Sequence, residues 1–70
     1  MSDVRADMVA NVMEIYVTEG AQLNVGDTIV LLESMKMEIP VIAEESGIIS
    51  RVAVSIGDVV QEGDLIVTID

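Results

Sequence analysis

The 70-residue chain has no cysteine, histidine, phenylalanine or tryptophan, and only one proline, one tyrosine and three cations. Without Cys or His there can be no disulfide staple, no thiolate or imidazole zinc site, no Cys or His nucleophile and no Ser-His-Asp constellation. Side-chain catalysis loses most of its usual groups. No apolar run approaches the roughly 20 residues of a membrane-spanning helix, and the opening "MSDVRADM" lacks the basic-then-apolar profile of a secretory leader. The expectation is a soluble protein, and the lack of disulfides in so small a domain favours a reducing, cytoplasmic setting. Thirteen acidic residues against three basic ones leave a formal charge of -10. That charge repels phosphate backbones and anionic lipid surfaces, so neither nucleic acid nor membrane is an expected partner. Acidity of this kind favours solubility and suits docking on basic enzyme surfaces.

What is abundant is β-branched. Twelve valines and nine isoleucines fit a pleated surface better than a helix, where their χ1 freedom is restricted. No segment shows a helical stripe. "VMEIYV" (12–17) and "IISRVAV" (48–54) alternate, placing Ile15 with Val17 and Val52 with Val54, while "TIVLLE" (28–33) and "DLIVTI" (64–69) are more uniformly apolar and read as buried strands. Short strands separated by Gly-Asp turns predict an all-β sandwich or barrel formed as a single domain over residues 1–70.

An internal repeat organises these strands. Val17, Gly20, Gly26, Asp27, Ile29 and Val30 recur 37 residues later as Val54, Gly57, Gly63, Asp64, Ile66 and Val67. Two units are too few for a stacked solenoid, so the halves, 1–33 and 38–70, are expected to share one core about a pseudo-two-fold axis. Gly26-Asp27 and Gly63-Asp64 lack the clustered oxygen ligands of a calcium loop. Turn chemistry accounts for them: glycine accepts positive φ and aspartate bonds nearby backbone. Glu44-Glu45 reads as a solvated loop, and Glu33 with Glu38 as surface charge.

Between the halves lies 34–37, Ser-Met-Lys-Met, a chain reversal with no Gly, Asn or Asp to accept the positive φ of a tight hairpin. It holds Lys36, the chain's only lysine. Symmetry would carry this junction onto the place where the termini meet, at the opposite end of the molecule. A lone lysine on a turn ordinarily discourages edge-to-edge pairing, and methionines ordinarily fill core gaps. Broken local rules at a turn point instead to function. The chemistry on offer is a primary amine, acylated once it loses its proton, which leaves a neutral amide on a long arm above a β platform.

Glu33-Ser34-Met35-Lys36-Met37, with the Gly-Asp turns at 26/27 and 63/64, closely resembles the biotinyl/lipoyl attachment domains over essentially the whole chain, and most of all their small stand-alone members of Bacillus type. The resemblance implies a flattened barrel or sandwich of two four-stranded antiparallel sheets with Lys36 at an exposed hairpin tip. It implies biotin in amide linkage to Lys36, with Met35 and Met37 flanking for recognition by biotin protein ligase. The protein would then be no enzyme itself but a swinging arm, carrying CO2 as carboxybiotin between biotin carboxylase and carboxyltransferase components. Three departures stand out: Asp7-Met8-Val9-Ala10 replaces a Pro-Met-Pro-Gly-like segment, Glu44 stands in place of a common proline before Gly47, and no insertion could form the thumb loop of some bacterial biotin carriers. The thumbless outline keeps a lipoyl carrier, or a dual biotin/lipoyl acceptor, loaded by lipoate ligase to serve an oxo-acid dehydrogenase-type complex, as the alternative. An unmodified β docking module is the other.

Overall fold

The computed structural model describes residues 2–70. It contains eight strands: β1 (Ser2–Arg5), β2 (Ala10–Ile15), β3 (Gln22–Leu23), β4 (Thr28–Ser34), β5 (Met37–Ile42), β6 (Gly47–Val52), β7 (Val59–Val60) and β8 (Leu65–Ile69). They form two four-stranded sheets ordered β1-β8-β6-β3 and β5-β4-β2-β7, and every pairing is antiparallel. The two-sheet all-β architecture expected from the sequence is the one observed. Val12, Ile29, Val30 and Leu32 from one sheet meet Leu23, Ile49, Ile66 and Val67 from the other in a common buried core. Each such side chain contributes about 1.5–3 kcal/mol by leaving water.

The two apolar runs are the central strands β4 and β8, as their buried residues require. The alternating segments differ from the sequence reading. β2 and β6 start two and one residues earlier, at Ala10 and Gly47, and end at Ile15 and Val52. The expected face pairs hold, since Ile15, Val17, Val52 and Val54 all pack against the core, and each strand also carries a bulge, at Val12/Glu14 and at Ile49/Arg51. The extra residue resets the alternation, so that Val12 is buried in the core and Ile15 also packs against it.

The 37-residue repeat extends to hydrogen bonds. The pair Leu32↔Ile39 in one sheet corresponds to Ile69↔Ser2 in the other, and Val12↔Leu32 corresponds to Ile49↔Ile69. Loop bonds repeat as well: Ala6 N–H donates to Asp64 O as Ala43 N–H does to Asp27 O, and Gly20 N–H donates to Ile49 O as Gly57 N–H does to Val12 O. In the Gly-Asp turns the aspartate carboxylate accepts the amide three residues back, at 2.9 Å for both Asn24 to Asp27 and Gln61 to Asp64. Gly26 and Gly63 take φ of 93° and 91°, a region closed to most side chains. Those aspartates are turn residues.

Strand directions place the junction. β5 runs from the 34–37 reversal to the link before β6, and Ile48 at the start of β6 exchanges both backbone hydrogen bonds with Asp70. Ser2 is paired to Ile69 on the other side of Asp70's strand. The described ends of the chain therefore lie together, a strand's length from Lys36.

Candidate functional site: the hairpin tip

β4 and β5 form the longest paired ladder of the molecule, from Thr28↔Ile42 to Ser34↔Met37. Only Met35 and Lys36 remain to reverse the chain. A two-residue hairpin loop matches the right-handed twist of its strands when both central residues are left-handed, and here φ is 54° at Met35 and 65° at Lys36. They are the only described non-glycine residues with positive φ. The sequence showed the missing glycine but not that the backbone would adopt the left-handed form regardless. The sequence reading left four residues, 34–37, for the reversal, whereas β4 runs on to Ser34 and β5 begins at Met37, so only two remain.

This geometry decides between the two readings of the methionines. Met35 is 91% exposed and Met37 64% exposed, so neither fills the core. Lys36 is exposed between them. Among the described residues the one ion pair is Arg5 with Asp3, and Lys36 has no carboxylate within salt-bridge distance. Below the tip, Glu33 and Glu38 face each other across the ladder. Two like charges in direct cross-strand register are mildly destabilising, and both carboxylates point to the outer side because their neighbours Leu32 and Ile39 turn inward to the core side.

The arrangement presents one lysine amine on a stiff two-residue loop, with apolar thioether side chains on either side and, among the described residues, no ion-pair partner holding it down. An amine so placed can enter a partner's active site and accept an acyl group. It fits biotin or a similar acid, which needs an unpaired, sterically open amine and no cradle of its own. It brings no acid, base or oxyanion donor within the loop, and the described residues contain no group of three or more potential metal ligands. Among the described residues no helix is long and apolar enough to cross a membrane.

Comparison with known proteins gives a consistent picture. A family model described as "Biotin-requiring enzyme" matches residues 2–69. The chain is 63% identical over 67 residues to a biotinylated protein TB7.3 homolog of Mycobacterium leprae, covering 96% of this chain and 94% of that protein. It is 43% identical over 63 residues to the biotin/lipoyl attachment protein of Bacillus subtilis, covering 90% of this chain and 86% of the relative. Among solved structures, a single-chain, multi-domain long-chain acyl-CoA carboxylase superposes with a TM-score of 0.88 at 35% identity over 94% of this chain. The chain spans only 7% of that carboxylase.

Proposed function

The chain belongs to the biotin/lipoyl attachment family, and on that premise we propose that it is a biotin carrier modified at Lys36. The observation that supports this most directly is the hairpin tip: the chain's only lysine, exposed and unpaired, on a left-handed two-residue loop at the end of the longest ladder. The relatives' names favour biotin, and so do the methionines on both sides of the lysine.

Attachment requires little of this chain beyond presentation. A lysine amine is protonated near neutral pH, so the ligase must remove the proton and supply an activated carboxyl. The Lys36 Nζ lone pair then attacks the carbonyl of that activated group, an acyl-adenylate; the amide C–N bond forms as the acyl C–O bond to phosphate breaks and AMP leaves, and the tip loses its positive charge. Biotin, when bound, supplies a ureido nitrogen able to carry CO2. Met35 and Met37 keep the base of the arm apolar and give the ligase a sequence-specific grip. The β4–β5 ladder keeps the tip from folding back, so that the arm pivots on a fixed point. Tethering raises the local concentration of a carried group to about the millimolar range for short flexible linkers. In this reading the protein is not a catalyst, and carboxylase and carboxyltransferase components provide the chemistry at either end of the swing.

Intact mass after incubation with biotin ligase, biotin and ATP tests the proposal. Wild type should gain one biotinyl group, whereas Lys36→Ala and Lys36→Arg should gain none, since a guanidinium stays protonated. The relative named as a biotin/lipoyl attachment protein supports a second assay with lipoate and its ligase, because the two adducts differ in mass. No adduct in either assay would leave the unmodified docking module as the surviving reading.

A further inference from the structure

The internal repeat makes each sheet a control for the other, and the two outer faces differ. On the β1-β8-β6-β3 sheet, Arg5 Nη2 donates to Asp3 Oδ2 at 3.1 Å, Thr68 Oγ1 to Asp3 Oδ1 at 3.1 Å and Ser50 Oγ to the Thr68 carbonyl at 3.2 Å. The residues 37 positions away on the β5-β4-β2-β7 sheet are Ile42, Pro40, Leu31 and Met13. A connected polar chain on one face is thus replaced, position for position, by four apolar side chains on the face that ends in Lys36. Met13 is 37% exposed and Ile42 43%, and Leu31 and Pro40 line a shallow hollow together with Tyr16.

Charge divides the same way. Arg51, at the equivalent of Glu14, and Arg5 both lie on the first sheet. The second sheet has Glu14, Glu33 and Glu38 around the apolar strip, and its only cation is Lys36. Acylation would remove that charge as well.

We propose that the outer face of the β5-β4-β2-β7 sheet is a docking surface for a protein partner with an apolar ridge rimmed by Arg and Lys, and that this partner is the biotin carboxylase component that receives the loaded arm. The proposal rests on the carrier reading above. Charge complementarity chooses the occupant. A second copy stacked face to face would bring Glu14, Glu33 and Glu38 of both chains together, a like-charge contact that disfavours an isologous pair. A partner that binds before loading meets a cation at the tip, whereas one that binds after loading meets a face without any, so a basic rim favours the loaded form, and in the carrier reading the carboxylase is the component that meets the biotinylated arm before it holds CO2. Apolar side chains at the centre with charge at the edge are the usual division of labour in an interface.

The experiment copies the first face onto the second. Met13→Ser, Leu31→Thr, Pro40→Asp and Ile42→Arg are combined in one variant, and Glu14→Lys with Glu38→Lys form a second variant that alters only the rim. Both are loaded to completion by biotin ligase alongside wild type, checked for fold by circular dichroism and thermal melting, and assayed as substrates of the biotin carboxylase component of the same cell. Expected is a rise in KM for the carrier of about tenfold or more in the four-residue variant, the scale of losing central contacts, and of about three- to fivefold in the rim variant, with kcat unchanged and ligase loading within about threefold of wild type. A KM within about twofold of wild type for both variants overturns the docking face. So does a defect confined to loading by the ligase, or a wild-type dimer that the four-residue variant dissolves. A wild-type protein that takes up no biotin overturns the carrier reading instead.

Discussion

At the scale of single residues, Met35 and Lys36 stand apart from the other left-handed positions. Gly20, Gly26, Gly57 and Gly63 occupy those, with φ between 88° and 94°, where glycine has no Cβ to clash. The tip alone places ordinary side chains in the left-handed region, at a cost of roughly 1–2 kcal/mol per residue. Such strain persists at functional sites when surrounding structure enforces it, and the β4–β5 ladder does so here. Asparagine tolerates this conformation better than methionine. Met35→Asn should therefore raise stability by about 1 kcal/mol in chemical denaturation while slowing loading of Lys36 by biotin ligase. A variant that becomes less stable would show the turn to be unstrained, and one loaded at the wild-type rate would remove Met35 from ligase recognition. That Lys36 is the chain's only lysine and lies at the junction of the halves was legible in the sequence, because composition and the repeat isolate it. Its backbone geometry was not, because φ depends on the register of the flanking strands.

At the scale of elements, the turns show how the repeat can be used to improve the fold. In the second half Asp58 accepts the Ser55 amide through its carboxylate at 2.8 Å. The corresponding residue of the first half is Ala21, whose own N–H still donates to the Thr18 carbonyl at 3.2 Å. The turn is formed in both halves, but only the second has the side-chain cap. Ala21→Asn would restore an acceptor for the Thr18 amide without adding charge to an already acidic chain. Caps of this sort contribute about 0.5–2 kcal/mol, so the melting temperature should rise by several degrees, and an unchanged or lower value would mean that the Thr18 amide already has an equivalent partner in water. Gly-Asp turns were readable from sequence because glycine and aspartate each have a specific backbone role. The bulges in β2 and β6 were not readable, since an inserted residue looks like any other member of an alternating run. With the register shifts at Thr28/Val30 and Val4/Arg5, they set the phase that decides which side chains face the core.

At the scale of the whole molecule, the 37-residue repeat made the paired halves visible, but repetition conceals the asymmetry that gives the two sheets different outer faces. That difference requires knowing which residues turn outward, and hence the registers. Charge is a property of the same scale. The chain has a formal charge of -10 within principal extents of 31 × 19 × 17 Å, and among the described residues it makes one ion pair, Arg5 with Asp3. Repulsion therefore outweighs attraction among its surface charges. The Debye length is about 30 Å at 0.01 M salt and about 8 Å at 0.15 M. At the lower value nearly every charge acts on every other across the molecule, and at the higher only near neighbours do. Sodium chloride should thus raise the melting temperature steeply up to about 0.15 M and little beyond. Loading Lys36 removes one cation, taking the formal charge from -10 to -11, so the biotinylated protein should show the steeper salt dependence of the two. Melting temperatures that fall as salt is added would reverse the sign of the argument, because they would show that screened attractions, and not the net charge, dominate the surface electrostatics of the fold.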